Sequence, residues 1–438
     1  MSDVRQARRQ GLRAFWYETR YRRELKANKR LKKLSAILDD SLGFSICAGL
    51  YLQREHTSDW WVEFGYKYVG PIVYAFSRFI YNIAQDIALD KILFIARDGY
   101  LPQKVFDTFN TGIPTSYVYA PRLLAWTAYL YYDGVIGAEG ANENHARKVC
   151  EYFHKDYSAY LSAQDYIDCN GDEFRKLAEE ERQRARWGDY IKSVVGEAKT
   201  AGVVVDGSGW YTAQRMIEKE SGIKTVGFYY RAGLIECNPC KSFAYFSLEQ
   251  AKDTTSLARI MEFVLSAPEP TAKTMTDGAV VYQTITAEEQ RAIEIASKIE
   301  VGVMQFARDI KERFAGCDIY LSRADIIALS DVFLKNPSDE DVNAWLDVKQ
   351  VDAGSSKYGP ILAGHVPLYS VSRLKALPWH TRAQKLELAV LSPAFFVWRV
   401  AKKLAKLVLK LALRLVFREN YSLALPKLRR VAKGLLKR

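Results

Sequence analysis

The chain has little histidine, few and scattered cysteines, no long apolar run and no net charge over most of its length. Its five histidines (His56, His145, His154, His365 and His380) are dispersed, and none falls in an HxxxH or HExxH pattern that would place two ligands on one helix face. The six cysteines keep no regular spacing, and Cys237-Asn-Pro-Cys240 is a lone CxxC. A zinc site there would lack half its ligands. With no apolar signal segment at the amino terminus, free thiols in a cytosolic protein are the expectation. No run of 18 or more apolar residues occurs, so no bilayer-spanning segment is expected. An Asp-x-Asp pair after a first strand, which an aspartyl-phosphate phosphatase needs as nucleophile and acid, is also missing: Tyr100 follows Asp98 two residues on, and Ser208 follows Asp206.

What is present is a large apolar content, 49% of 438 residues with 13% aromatic, enough for an extensive core. The run Gly202-Val-Val-Val-Asp206 is short, β-branched and glycine-flanked, which predicts a strand at Val203 to Val205 buried on both faces of a parallel sheet. Asp206 then stands at its carboxyl end, followed by Gly207-Ser208-Gly209-Trp210-Tyr211-Thr212 and a helix from Tyr211 to about Glu220. Upstream, Lys91-Ile-Leu-Phe-Ile-Ala96 repeats the arrangement, with Arg97-Asp98-Gly99-Tyr100 leading into a helix to about Phe109. Ser116 to Ala120, Thr225 to Tyr230 and Phe243 to Ser247 look like further strands; Pro121-Arg122 ends the first of these. Alternating strands and helices predict a doubly wound, mostly parallel α/β sheet.

Four parts follow along the chain. Residues 1–57 form a basic helical arm with Leu12, Phe15 and Trp16 on one helix face. Residues 58–270 form the α/β catalytic domain, in which the aromatic segment from Ser58 to Asp86 is a helical layer on a sheet edge and about 140–197 is a helical insertion over the site. Residues 271–384 form a helical second lobe, whose helices open at Thr286-Ala-Glu-Glu289, Ser322 to Asp325 and Ser338 to Asp341. Residues 385–438 form a cationic tail. Of 63 basic and 51 acidic residues, 14 and 2 lie from Lys385 onward, leaving 49 of each sign before it. In the tail Arg399, Lys402, Lys403, Lys406, Lys410, Arg414 and Arg418 share one broad helix face, opposite Phe396, Val400, Leu404, Leu407, Leu411 and Leu415. Cationic amphipathic helices of this kind lie in an anionic membrane surface. Nucleic acid is not the expected partner, because the positive charge does not spread onto the neutral folded part.

A carboxylate at a strand end, then Ser-Gly and Thr before a helix, suits a ribose 5-phosphate: Asp206 can accept from the 2- and 3-hydroxyls while Ser208, Gly209, Tyr211, Thr212 and backbone N–H groups surround the phosphate. Arg97, Asp98 and Gly99 at the neighbouring strand end suit a diphosphate leaving group and its magnesium, and Arg122, Gly207 and Trp210 complete the candidate substrate-binding set. Glu262, the one acid in Leu257 to Ala267, is either a solvated position on an amphipathic helix or a base facing the sheet's carboxyl edge. The bland alternative throughout is a doubly wound domain whose strand-end residues only cap helices.

The runs GPIVYAFSRFIYN, KILFIARDGYLPQKVF, YVYAPRLLAW, VVVDGSGWYTAQRM and FVLSAPEPT, within about residues 60–350, resemble the carboxyl-terminal module of bacterial polysaccharide-assembly proteins, often fused to or annotated with a haloacid-dehalogenase-like phosphatase. That module is similar to type I phosphoribosyltransferases. The resemblance implies a magnesium- or manganese-dependent glycosyltransferase that moves 5-phosphoribofuranose from phosphoribosyl diphosphate to a lipid-linked glycan, in O-antigen or capsule synthesis at the cytoplasmic face of the inner membrane, with a separate phosphatase acting afterwards. It places the ribose-binding acid at Asp206 within Val203 to Thr212, and the diphosphate loop at Arg97 to Gly99. The usual second acid of the ribose loop is replaced by Gly207, and Trp210-Tyr211 interrupts its glycines. Asp98 and Glu262 are the candidates for the base that a sugar hydroxyl needs, Asp98 also for contact with the metal through diphosphate or water. A nucleotide-sugar glycosyltransferase, a sugar phosphatase and a non-catalytic scaffold are the competing expectations.

Overall fold

A computed structural model describes residues 2–14, 41–132, 143–208, 211–232, 240–246, 261–317, 319–335, 339–346, 348–351 and 358–360. In chain order the elements are helices α1 (Ser2–Arg9), α2 (Leu42–Gln53) and α3 (Trp60–Phe64), a π-helical turn (Gly65–Val69), α4 (Gly70–Asp86), β1 (Lys91–Ile95), α5 (Tyr100–Asp107), β2 (Thr115–Val118) and α6 (Arg122–Ala128). The insertion between β2 and the next strand supplies α7 (Glu143–Tyr152), α8 (Ala163–Cys169), α9 (Gly171–Ala185) and α10 (Trp187–Val195). Then come β3 (Thr200–Ser208), α11 (Thr212–Ser221), β4 (Lys224–Ala232), β5 (Ser242–Phe246), the strands β6 (Ala272–Thr276) and β7 (Ala279–Tyr282), α12 (Ala287–Arg313), α13 (Arg323–Lys335), α14 (Asp339–Leu346), β8 (Lys349–Val351) and β9 (Tyr358–Pro360). The cationic stretch from Lys385 lies outside the described residues, as do Phe15, Trp16, Gly209, Trp210 and Cys237.

Strands β1 to β5 form one parallel sheet in the order β2-β1-β3-β4-β5, so the architecture is α/β. Alternation along β1 shows why both faces are covered. Ile92 and Phe94 enter one hydrophobic cluster with Phe76, Val105, Phe228 and Phe246, whereas Leu93 and Ile95 enter another with Leu124, Trp187, Ile191, Val203 and Ile217. The segment from Ser58 to Asp86 therefore lies on a sheet face and not along an edge: the Phe76 ring meets Tyr230 and Tyr245 edge-on, at centroid distances of 5.5 and 6.1 Å. Ile72, Phe76 and Ile80, which share one side of α4, are all buried.

Three further expectations change. The helix at the amino terminus stops at Arg9, Gly11 turns the backbone to φ +77°, and Leu12 is 63% exposed, so Leu12 is not on that helix's face. Residues beyond 271 share the main core: Ile299, Val303 and Phe306 of α12 belong to the cluster that holds Ile92 and Phe94. Finally, β3 runs three residues past Val205. Gly207 stands opposite Arg231 and Ser208 opposite Ala232, which makes Asp206, Gly207 and Ser208 strand and not loop.

Helix α12 opens as the sequence predicts, with Thr286 accepting from the Glu289 N–H at 3.2 Å. Its approach to the helices beneath is set by two glycines. A Cβ on Gly65 would come within 2.4 Å of the Ile299 carbonyl oxygen, and one on Gly302 within 2.2 Å of the Val62 carbonyl oxygen. The two backbones touch there, at the π-helical turn.

Candidate active site

The strand order reverses at β1: the chain goes from β1 outward to β2, then returns to the other side of β1 with β3. Such a switch point opens a crevice at the carboxyl ends of the two central strands. Of the two polar stretches singled out in the sequence, Arg97 to Gly99 follows β1, and Asp206 to Ser208 forms the end of the neighbouring strand β3.

The turn after β1 is tightly built. The Gly99 N–H donates to the Ile95 carbonyl at 2.7 Å, folding the turn back onto the strand. A Cβ there would meet the Ile95 oxygen at 2.6 Å and the Ile95 nitrogen at 2.8 Å, both backbone, so only glycine fits. Arg97 takes φ +73°, a left-handed conformation that a side chain disfavours by roughly 1–2 kcal/mol. Its N–H is held by the Tyr117 hydroxyl, which accepts at 2.7 Å. Strain kept in place by neighbours is a mark of functional turns.

Those neighbours form a network that no sequence pattern announced. The Tyr117 hydroxyl donates to Glu269 Oε1 at 2.6 Å and that of Tyr119 to Oε2 at 2.7 Å, while Tyr282 donates to Tyr119 at 3.1 Å. Two tyrosines two residues apart along an extended chain point the same way, which lets both reach one carboxylate. Burial, then the Glu269 bond, holds the Tyr117 hydroxyl well above its ordinary pKa. Burial does the same at Tyr119, with the bonds to Tyr282 and Glu269 adding to it. Glu269 has both oxygens engaged and anchors the turn through Tyr117. The only signal in the sequence was its place in FVLSAPEPT.

The same edge gathers three of the expected residues. Arg97 Nη2 reaches Ser266 Oγ at 3.5 Å, the Ser266 hydroxyl donates to the Glu262 carbonyl at 2.8 Å, and Glu262 Oε1 lies 3.4 Å from Arg122 Nη2. Residues 261–264 are helical, with Met261, Phe263 and Val264 buried and the Glu262 side chain 29% exposed. Glu262 therefore stands at the sheet's carboxyl edge.

On the β3 side, the described backbone carries Asp206, Gly207 and Ser208 to the end of the strand, and α11 starts at Thr212. The Tyr211 ring is buried edge-on against Tyr229 at 5.0 Å, and its φ of +57° turns the chain into the helix. Thr212 begins a ten-residue helix to which Tyr211 gives no side-chain cap. Gly209 and Trp210 fall outside the described residues.

Among the described residues no group of three or more His, Cys, Asp or Glu could hold a metal. A magnesium ion carried by a diphosphate asks for only one or two protein carboxylates, and Asp98 in the turn can supply one. No described helix is long and apolar enough to cross a membrane. No protein-family model and no curated relative matches the chain, so the functional reading rests on the site.

Proposed function

We propose that the protein is a glycosyltransferase that moves 5-phosphoribofuranose from phosphoribosyl diphosphate to a lipid-linked oligosaccharide in bacterial surface-polysaccharide synthesis, on a fold of the type I phosphoribosyltransferase kind. The observation that supports this reading is that the Arg97 to Gly99 turn and Asp206 to Ser208 end adjacent parallel strands at the switch point. One ligand with a phosphate at one end and a diphosphate at the other can then touch both.

In this scheme Asp206 binds the ribose hydroxyls, Ser208, Gly209 and Thr212 with the first N–H groups of α11 bind the 5-phosphate, and Arg97 with the Gly99 turn holds the diphosphate. Asp98 would hold a Mg2+ or Mn2+ ion carried by the diphosphate, which when bound would supply charge neutralisation for the leaving group. The bond from ribose C1 to the diphosphate oxygen breaks with its electron pair leaving on that oxygen. The acceptor hydroxyl forms the new C1–O bond and gives its proton to Glu262, the carboxylate at the edge. The tail from Lys385 would hold the enzyme peripherally on the anionic cytoplasmic face of the inner membrane, and a separate phosphatase would then remove the 5-phosphate.

Product formation from phosphoribosyl diphosphate, with and without a glycan acceptor, tests the reading. Asp206→Asn is expected to lose nearly all turnover with the fold intact, and excess chelator to abolish it. Unchanged turnover in folded Asp206→Asn, or consumption of a nucleotide sugar in place of phosphoribosyl diphosphate, would overturn it.

A further inference from the structure

Beside the last strand of the sheet lies a cleft that the scheme above leaves unused. It is walled by Ala75, Phe79 and Asn82 of α4, by Tyr245 of β5 and by the segment 319–324 that leads into α13, and it offers about 470 Å3, the size of a small-molecule site. Its floor is apolar, with Ile319 and Leu321 buried. One polar group is sealed into it. Tyr245 is only 4% exposed, and its hydroxyl finds no hydrogen-bond partner among the described residues. Burial, and then the neighbouring Tyr320, raise its pKa above the ordinary tyrosine value, so at neutral pH it keeps its proton and can donate. A buried hydroxyl without a protein partner is uncommon in a folded chain, and a ligand oxygen would complete it.

The mouth supplies further polar groups. Arg323 lies over the Phe79 and Tyr245 rings, its guanidinium carbon 5.8 and 5.6 Å from their centroids, and its Nη2 donates to the Ala244 carbonyl at 3.4 Å. That is its one hydrogen bond among the described residues, which leaves most of the donors of this braced fork to a ligand. Asn82 is exposed on the α4 wall, and Tyr320 is 70% exposed at the rim. Asp325 accepts from the Ser322 N–H at 2.9 Å and from its hydroxyl at 2.7 Å, which fixes the segment. Arg323 and Asp325 act on the Tyr245 hydroxyl with opposite sign, so the cleft suits a neutral polyol better than an ion.

We propose that this cleft binds one pyranose ring of the acceptor glycan, with the apolar face of the sugar on Tyr320 and its hydroxyls on Arg323, Asn82 and Tyr245. A saturated ring with a polar rim asks for that pairing, because its C–H groups pack on an aromatic face while planar side chains and a phenol bond its hydroxyls. Phe246 stands opposite Arg231, and Arg231 opposite Gly207, so Tyr245 is level with Asp206 at two strand spacings, roughly 10 Å, across the sheet. An oligosaccharide spans that distance and a single sugar does not. Assignment to the acceptor rests on the proposed transfer, whereas affinity of the cleft for a pyranose does not.

Saturation-transfer NMR and calorimetry of the full chain with the methyl glycosides of glucose, galactose, mannose and N-acetylglucosamine provide the test, using wild type, Tyr245→Phe, Arg323→Gln and Tyr320→Ala. At least one glycoside is expected to bind the wild type. Arg323→Gln and Tyr320→Ala should each weaken it about tenfold and Tyr245→Phe about fivefold. Tyr245→Phe should also keep or raise the thermal midpoint, because the hydroxyl that it removes has no protein partner; a lower midpoint with sugar affinity unchanged would make the phenol structural and overturn its role. Failure of all four glycosides to bind the wild type, or wild-type affinity in both Arg323→Gln and Tyr245→Phe, overturns the proposal. In the transfer assay, an acceptor KM raised by Arg323→Gln with the donor KM unchanged supports the acceptor assignment, and an unchanged acceptor KM overturns it. Arg323-dependent glycoside binding by a protein that does not consume phosphoribosyl diphosphate sinks the transfer reading and leaves the cleft standing.

Discussion

Replacing Arg97 by glycine and, separately, by alanine divides the strain in the turn from the chemistry of its side chain. Both changes remove the guanidinium and its reach to Ser266 Oγ at 3.5 Å, but only alanine keeps a Cβ at φ +73°. The left-handed conformation costs a residue with a side chain roughly 1–2 kcal/mol, while glycine returns about 0.5–1 kcal/mol of that through the larger entropy of its unfolded chain. Arg97→Gly should therefore be as stable as the wild type or up to about 1 kcal/mol more so. Arg97→Ala, which keeps the strain and loses the side-chain contacts, should be the less stable of the pair. Denaturant midpoints at constant slope measure the difference. Both variants should lose most of their turnover of phosphoribosyl diphosphate, so the more stable protein is among the inactive ones. Equal stability of the two would show that no strain is stored at Arg97, and full activity in the glycine variant would remove the guanidinium from the mechanism.

Other perturbations test separate parts. Tyr117 and Tyr119 have folded pKa values raised above the ordinary tyrosine value, so their contribution is complete below about pH 10 and lost as pH rises beyond it; urea unfolding between pH 7 and 11 should show stability falling only in the alkaline part, and a flat profile would contradict the network. Glu269→Gln removes the negative charge and leaves one of the two hydroxyls facing an NH2 donor with no acceptor, and should cost about 1–3 kcal/mol, read from the same unfolding curves, with a loss of turnover that exceeds the loss of folded protein. Gly99→Ala forces a Cβ to within 2.6 Å of a backbone oxygen and should destabilise by about 1–3 kcal/mol; a neutral outcome would mean that the turn can open freely. Deleting the chain from about Lys385 should abolish salt-sensitive binding to anionic vesicles while sparing transfer to a short soluble acceptor, and vesicle binding indifferent to salt would show an anchor other than charge.

Much of the sheet was legible because its strands are short apolar runs closed by polar or glycine-rich turns: Lys91 to Ile95 and Val203 to Val205 needed no tertiary information. The end of β3 was not. Asp206, Gly207 and Ser208 have poor strand propensity, and they are extended because β4 continues beside them to Ala232 and offers a ladder. The hairpin of β6 and β7 did carry a signal, since Asp277-Gly278, at φ +49° and +76°, is the two-residue turn that such a ribbon prefers. The polar turn after β1 was visible in its residues, and Glu262, Arg122 and Arg97 do meet at one edge. What held them there was hidden. Glu269 lies 152 residues from Tyr117 in the chain, and no local periodicity reports a contact over that distance.

The contact of α12 with the π-helical turn bears on how this protein is made. Tyr66, Phe64 and Val69 face α12 residues that leave the ribosome more than 200 positions later, yet the helices carrying them cover one face of the sheet. A nascent chain that has completed all five parallel strands still exposes this aromatic surface, and the backbone-to-backbone fit at Gly65 and Gly302 accepts no substitute segment with a larger residue at the crossing. Folding of the parallel sheet is thus tied to the arrival of α12. Long sequence separation makes such closure slow, and a truncated product that ends before Ala287 is the form of this protein most exposed to aggregation.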